Sequence, residues 1–179
     1  TNKIVEEKIE NTSGSVSWSL DSKSFFYIPL DKYHRSKKIY KHVLGTSPKN
    51  DLLIFEEKDD SFSVSISLTA DEKFFVISTS DSNTVEEYFF LSKEKEIKPK
   101  LFAAREKGIK YSIDSFNNFW YLHTNKGALD YQILRCNHKN IKKLEIFIPP
   151  KKETIIGGFD FLDNYILRSE KSDAIPKLF

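Results

Sequence analysis

Methionine is absent from the 179-residue sequence, and with it any initiator residue. The expectation is a processed chain or an excised piece of a longer one. Cysteine occurs once, at Cys136, which excludes an internal disulfide framework. It suits a reducing compartment and points to the cytoplasm. Glycine and proline number six each, few for a loop-built binding domain. Arginine stands only at 35, 105, 135 and 168; lysine carries nearly all the positive charge, a coding bias without chemistry. Apolar runs stop at about four residues, as in Phe74-Phe75-Val76-Ile77, which excludes a membrane-spanning helix. No apolar segment follows a basic start, so no secretory signal is expected. An excess of one charge is missing too: the formal net charge is +2. Lys37-Lys38, Lys142-Lys143 and Lys151-Lys152 are matched by Glu56-Glu57, Asp59-Asp60 and Glu86-Glu87. Nucleic-acid binding needs a basic face and is not expected; a solvated surface of mixed sign is.

What the sequence has is aromatic and charged residues together. Fifteen Phe, eight Tyr and 30% charged residues describe a soluble chain able to fill a core, not a disordered tail. Those aromatics recur. Val16-Ser17-Trp18 is followed by Asp21-Ser22-Lys23 and Phe25-Phe26-Tyr27-Ile28. Val64 to Leu68 is followed by Asp71-Glu72-Lys73 and Phe74 to Ile77. Tyr111-Ser112-Ile113 leads to Phe119-Trp120-Tyr121-Leu122, and Phe159-Asp160-Phe161 to Tyr165-Ile166-Leu167. Phe26, Phe75, Trp120 and Ile166 mark a period of 45 to 49 residues. Further short apolar segments complete each unit, at 39–44, 88–91 and 131–136, then at 52–55, 101–102 and 144–148.

Short segments rich in Phe, Tyr, Val, Ile and Ser between Asp, Asn, Ser and Lys turns read as strands. Ser63 to Leu68 alternates with period two. The second segments are apolar at consecutive positions, so both of their faces are expected to be covered. Four strands per unit with both sheet faces covered describe β-propeller blades. Small residues at Gly14-Ser15, Ser63, Ser65, Ser112 and Gly157-Gly158 suit first strands at a crowded axis, with Gly157-Gly158 a tight approach into a strand. The fold expected is all-β: a partial propeller of about three and a half four-stranded antiparallel blades. Residues 1–12 would be the last strand of a preceding blade, 13–61, 62–108 and 109–153 whole blades, and 154–179 an incomplete one. Such an arc leaves apolar faces and edges bare, so self-association is expected.

Catalytic and cofactor motifs are missing. There is no Gly-x-Ser-x-Gly elbow, no phosphate-binding glycine loop, and no Cys-x-x-Cys or His-x-x-x-His pair to hold a metal with Cys136, His138 and His123. Cys136 reads as a core residue. Ser112, Asp114 and His123 spell a triad but lack implied oxyanion donors. Glu56 to Asp60 reads as a charged connection between blades, with cation binding as the alternative. No catalytic, cofactor or metal residue is therefore assigned. The candidate contacts to a partner domain or substrate are Tyr33, His34 and Arg35, in a loop between second and third strands, and Arg105 and Glu106, in a connection between blades. The alternative for each is a solvated loop.

The run His34-Arg35-x-x-Lys38-Ile39-Tyr40-Lys41-His42-x-Leu44-Gly45-Thr46 resembles the oligopeptidase B (protease II) branch of the prolyl oligopeptidases. Phe55-Glu56-Glu57-Lys58-Asp59, Phe62-Ser63-Val64-Ser65, Phe102-x-x-Arg105-Glu106-Lys107-Gly108, Tyr111-Ser112-Ile113-Asp114 and Ile148-Pro149-Pro150 continue it in register. The resemblance implies a two-domain serine peptidase. A seven-bladed propeller would act as a size-selecting cap over a C-terminal α/β-hydrolase domain that cuts basic peptides after Arg or Lys. The triad and specificity motifs match nothing here, so the resemblance implies a noncatalytic propeller fragment. Arg35 and Arg105 become candidates for interdomain or substrate-side ion pairs. The rival expectation is a stand-alone propeller-type scaffold that binds protein or peptide through its rim loops.

Overall fold

The computed structural model describes residues 7–179. Of the segment expected to close an earlier blade, 1–12, residues 1–6 fall outside them, 7–11 form no strand, and Thr12 opens the first strand of the first sheet. Among the described residues, fifteen strands form four antiparallel sheets in sequence order. The first sheet holds β1 (Thr12–Trp18), β2 (Ser24–Pro29), β3 (Lys38–Val43) and β4 (Leu52–Glu56). The second holds β5 (Ser63–Leu68), β6 (Phe74–Ser80), β7 (Val85–Leu91) and β8 (Lys100–Ala103). The third holds β9 (Tyr111–Phe116), β10 (Phe119–Thr124), β11 (Gln132–Asn137) and β12 (Glu145–Ile148). The fourth has three strands, β13 (Thr154–Leu162), β14 (Tyr165–Ser172) and β15 (Ile175–Leu178). This is the partial propeller expected from the period. No helix among the described residues is long and apolar enough to cross a membrane.

Strand alternation divides each apolar run between two seams. On β6, Phe75 and Ile77 face the first sheet, packing with Phe26, Ile28, Ile39, Val64 and Phe90. Phe74 and Val76 face the third, packing with Phe102, Ile113, Trp120, Leu122 and Cys136. The ring centroids of Phe26 and Phe75 are 4.7 Å apart, and those of Phe74 and Trp120 4.6 Å apart. Tyr121 and Ile133 meet Ile156 across the last seam, with Phe161 and Ile166 against them. Each large side chain buried there contributes about 1.5–3 kcal/mol.

The repeated Asp-x-Lys turns have one cause. Asp21 and Asp71 accept from the backbone N–H groups of Lys23 and Lys73. Ser22 and Glu72 take φ of 54° and 56°, which places the following strand back beside its predecessor. Gly157 and Gly158 are not at a strand entrance as expected. They lie inside β13, where its register with β14 shifts between Ile156 and Phe159. A Cβ on Gly157 would sit 2.2 Å from Ser169 Oγ, so the bulge needs glycine there.

Candidate functional site

Antiparallel hairpins send the β2–β3, β4–β5, β6–β7, β8–β9 and β10–β11 connections to one rim. All the candidate contact residues lie there. In the β2–β3 loop, Asp31 Oδ1 accepts from the backbone N–H groups of Tyr33 and Arg35, at 2.8 and 3.0 Å. His34 turns the chain with φ 58°. Tyr33 is 63% exposed, with Lys32 Nζ and the Arg35 guanidinium about 5 Å from its ring centre. Arg35 bridges Asp31 at 2.8 Å and Asp60 at 3.0 Å. The Arg35 backbone N–H, then its side chain, hold the Asp31 carboxyl below its ordinary range.

Arg105 forms the tighter cluster. Its Nη2 lies 2.6 Å from Glu57 Oε2, in the β4–β5 connection, and 2.8 Å from Glu86 Oε2 on β7. Its backbone N–H donates to Glu86 Oε1 at 3.0 Å, and its guanidinium stacks 3.9 Å from the Phe62 ring centre. Burial alone would raise both carboxyls. The Asp59 N–H and the Arg105 side chain overcome it at Glu57, and the side chain and N–H of Arg105 at Glu86, so both end below the ordinary glutamate value. Beneath them the buried Lys37 donates to the carbonyls of Phe62 and Asp59.

Arg35 and Arg105 thus hold the same connection, 57–60, from two sides. An open cleft of about 630 Å³ lies beside it, lined by Leu30, Arg35, Lys38, Tyr40 and Glu57 among others. Glu106 stands apart, exposed and paired with Lys126 of the β10–β11 loop at 2.6 Å. Among the described residues no hydrogen bond or ion pair joins Tyr33 or His34 to the Arg105 cluster. Sequence reading missed Glu57, Glu86 and Lys37, which it counted as solvated surface charge; all three are buried. Period-two alternation in 85–91 was the available signal, since it puts Glu86 and Glu87 on opposite faces of a strand covered on both sides.

The letters of the triad at Ser112, Asp114 and His123 do not assemble into a relay. Ser112 and His123 are cross-strand partners, but His123 Nε2 pairs with the Ile156 carbonyl at 2.7 Å and Asp114 accepts from Ala70 N–H at 2.9 Å. A second trio, absent from the sequence reading, lies on the other rim. The Ser115 hydroxyl donates to Asp71 at 2.9 Å and lies 2.9 Å from His138 Nε2. There the serine stands between acid and base, fully buried, whereas a nucleophilic relay needs the histidine in the middle. Among the described residues no group of His, Cys, Asp and Glu is placed to hold a metal ion. Cys136 is buried, and burial pushes its thiol up to about 11, the state of an inert core cysteine.

Comparison with known proteins gives one answer. The family described as "Prolyl oligopeptidase, N-terminal beta-propeller domain" matches residues 1–179. Protease 2 of Moraxella lacunata is 32% identical over 139 residues, covering 76% of this chain and 20% of that protein. Dipeptidyl aminopeptidase BI of Pseudoxanthomonas mexicana is 27% identical over 185 residues, 99% of this chain and 25% of that protein. Oligopeptidase B from Trypanosoma brucei, in a closed form with covalently bound antipain, superposes with a TM-score of 0.92 at 23% identity, over 98% of this chain and 25% of that one. Oligopeptidase B from Leishmania major gives the same TM-score at 20% identity, over 99% and 25%. The chain spans about a quarter of the length of these relatives. Four successive sheets with aromatic seams and a match along the whole sequence lead to one conclusion: this chain belongs to the prolyl oligopeptidase family, within its N-terminal β-propeller domain.

Proposed function

We propose that the chain is a noncatalytic part of the propeller cap of a serine oligopeptidase that cuts peptides after Arg or Lys. The observation that carries this reading is the match of the family's propeller domain to residues 1–179. The partner is a C-terminal α/β-hydrolase domain of the same polypeptide, which supplies the nucleophile. The cap selects by size: an extended peptide passes a closed ring of blades and a folded protein does not. The rim carrying Arg35, Arg105 and Glu106 faces that partner or the substrate, where exposed Tyr33 and His34 are free to make contact.

An arginyl amide substrate tests the assignment. The isolated chain gives no turnover. The parent polypeptide hydrolyses the substrate, loses activity to a serine-directed inhibitor, and leaves folded proteins intact. Turnover by the isolated chain, or a parent enzyme indifferent to Arg and Lys, contradicts the reading.

In isolation the arc pairs with a second copy of itself. Leu162, Tyr165, Leu167 and Leu178 share one face of the last sheet and are exposed, Tyr165 to 74%, and so are Val16 and Trp18 of the first. A sheet face this apolar seeks cover. Sedimentation showing a dimer or larger species supports this pairing; a clean monomer at high concentration contradicts it.

A further inference from the structure

The buried carboxylates of the described residues fall into two kinds. Glu57 and Glu86 share Arg105, and Glu170 lies 2.6 Å from both Lys151 Nζ and Arg168 Nη2. Glu87 is equally buried, at 4% exposure, yet no cationic side chain among the described residues pairs with it. It lies on β7 at the seam between the second and third sheets. Its Oε2 accepts from the Ile113 backbone N–H of β9 at 2.8 Å. Its own N–H donates to the Tyr111 hydroxyl at 2.9 Å, and that hydroxyl donates to the Ala103 carbonyl at 2.6 Å. The carboxyl group thus ties β7 to β9 at an edge strand whose N–H has no other strand to meet.

The groups facing Glu87 are known from every side. From β9 come Tyr111 and Asp114, the latter a like charge that disfavours ionisation. From β6 comes Ser78, its cross-strand neighbour. From β8 comes the Ala103 carbonyl, already engaged by Tyr111. On β7 itself, Glu86 turns to the opposite face, against Arg105. An isolated ionised carboxylate in such a place is costly, and the group keeps its proton or the structure admits water.

We propose that Glu87 is a proton-operated latch between the second and third blades: the neutral carboxyl keeps the seam dry, and its ionisation lets water in and loosens the seam. Burial, the largest influence, pushes the group up to about 8 from an ordinary 4.5; the Ile113 N–H and Ser78 pull the other way without prevailing. The folded state therefore holds a proton that the unfolded chain has lost. Stability from this group is full below pH 4.5, declines as pH rises from there to about 8, and is flat above it. The inference concerns this chain alone and stands whether or not the parent enzyme is specific for basic peptides.

Glu87→Gln tests it, because glutamine is neutral, has the same shape and still accepts from Ile113. Urea unfolding from pH 5 to pH 9 is expected to show wild type losing stability relative to E87Q up to about pH 8 and no further. The protection of the Ile113 amide against hydrogen exchange is expected to fall by up to about tenfold per pH unit as pH rises toward about 8 in wild type, to level off above it, and to stay level in E87Q. Carboxyl-carbon NMR of the wild type gives an answer even if the variant does not fold: one glutamate should titrate near pH 8. Parallel stability curves for the two proteins, or all glutamates titrating below pH 6, would overturn the proposal.

Discussion

Arg105 Nη2 lies 2.6 Å from Glu57 Oε2, across 48 positions of sequence. The same nitrogen reaches Glu86, so one guanidinium joins the connection after the first blade, the third strand of the second blade, and the connection into the third. A planar fork suits that task better than an ammonium.

Removing that fork leaves two buried carboxylates without their shared cation. Arg105→Ala is expected to lower stability by about 2–3 kcal/mol, at or below the low end of the usual range for a broken buried pair because the Arg105 side chain is 28% exposed. Arg105→Lys should recover only part of the loss. Urea denaturation at neutral pH measures both.

The acid limb follows from the same cluster. Glu57 and Glu86 are held below their ordinary value of 4.5. Their contribution is complete above pH 4.5 and disappears as pH falls through the lowered values. Wild type should therefore lose stability steeply below pH 4.5, and Arg105→Ala less steeply. Equal acid limbs for the two proteins would contradict the pairing.

The bulge in β13 makes a steric prediction. Gly157→Ala brings a methyl group against Ser169, whose hydroxyl, carbonyl and Cβ would lie 2.2, 3.1 and 3.3 Å away. The expected cost is about 1–3 kcal/mol. Ser169→Ala in the same chain should restore part of it, because the nearest atom is removed and the other two remain. A double-mutant cycle with no coupling would contradict this contact.

The two tryptophans should report the seam by fluorescence. Trp120 is almost fully buried, and Trp18 is half exposed on the outer flank of the first sheet. Iodide should quench the emission of Trp18 in the Trp120→Phe protein and leave that of Trp120 in the Trp18→Phe protein nearly untouched. Equal quenching would place Trp120 outside a seam.

The blades were legible because burial on both faces of a second strand forces consecutive apolar residues, and Phe25 to Ile28 and Phe74 to Ile77 carry that mark plainly. The turns were legible because Asp21 and Asp71 bond the backbone two residues on. The rim cluster was not. Arg105 could be named, but its partners come from residues distant in sequence, and only the stacking of one sheet on the next brings Glu57 and Glu86 to it. Glu86-Glu87 shows the difficulty best: two adjacent acids look like solvated charge until a strand with covered faces sends one to an arginine and the other into an apolar seam. Gly157-Gly158 misled for a related reason, since a bulge within a long strand and a turn before a short one make the same demand for glycine.

The stacking of the sheets is tested most directly by ring-to-ring NOEs in the isolated chain. Cross-peaks are expected between Phe26 and Phe75 and between Phe74 and Trp120, whose centroids lie 4.7 and 4.6 Å apart. A well-dispersed spectrum lacking both would contradict the propeller arc and the cap function proposed on it.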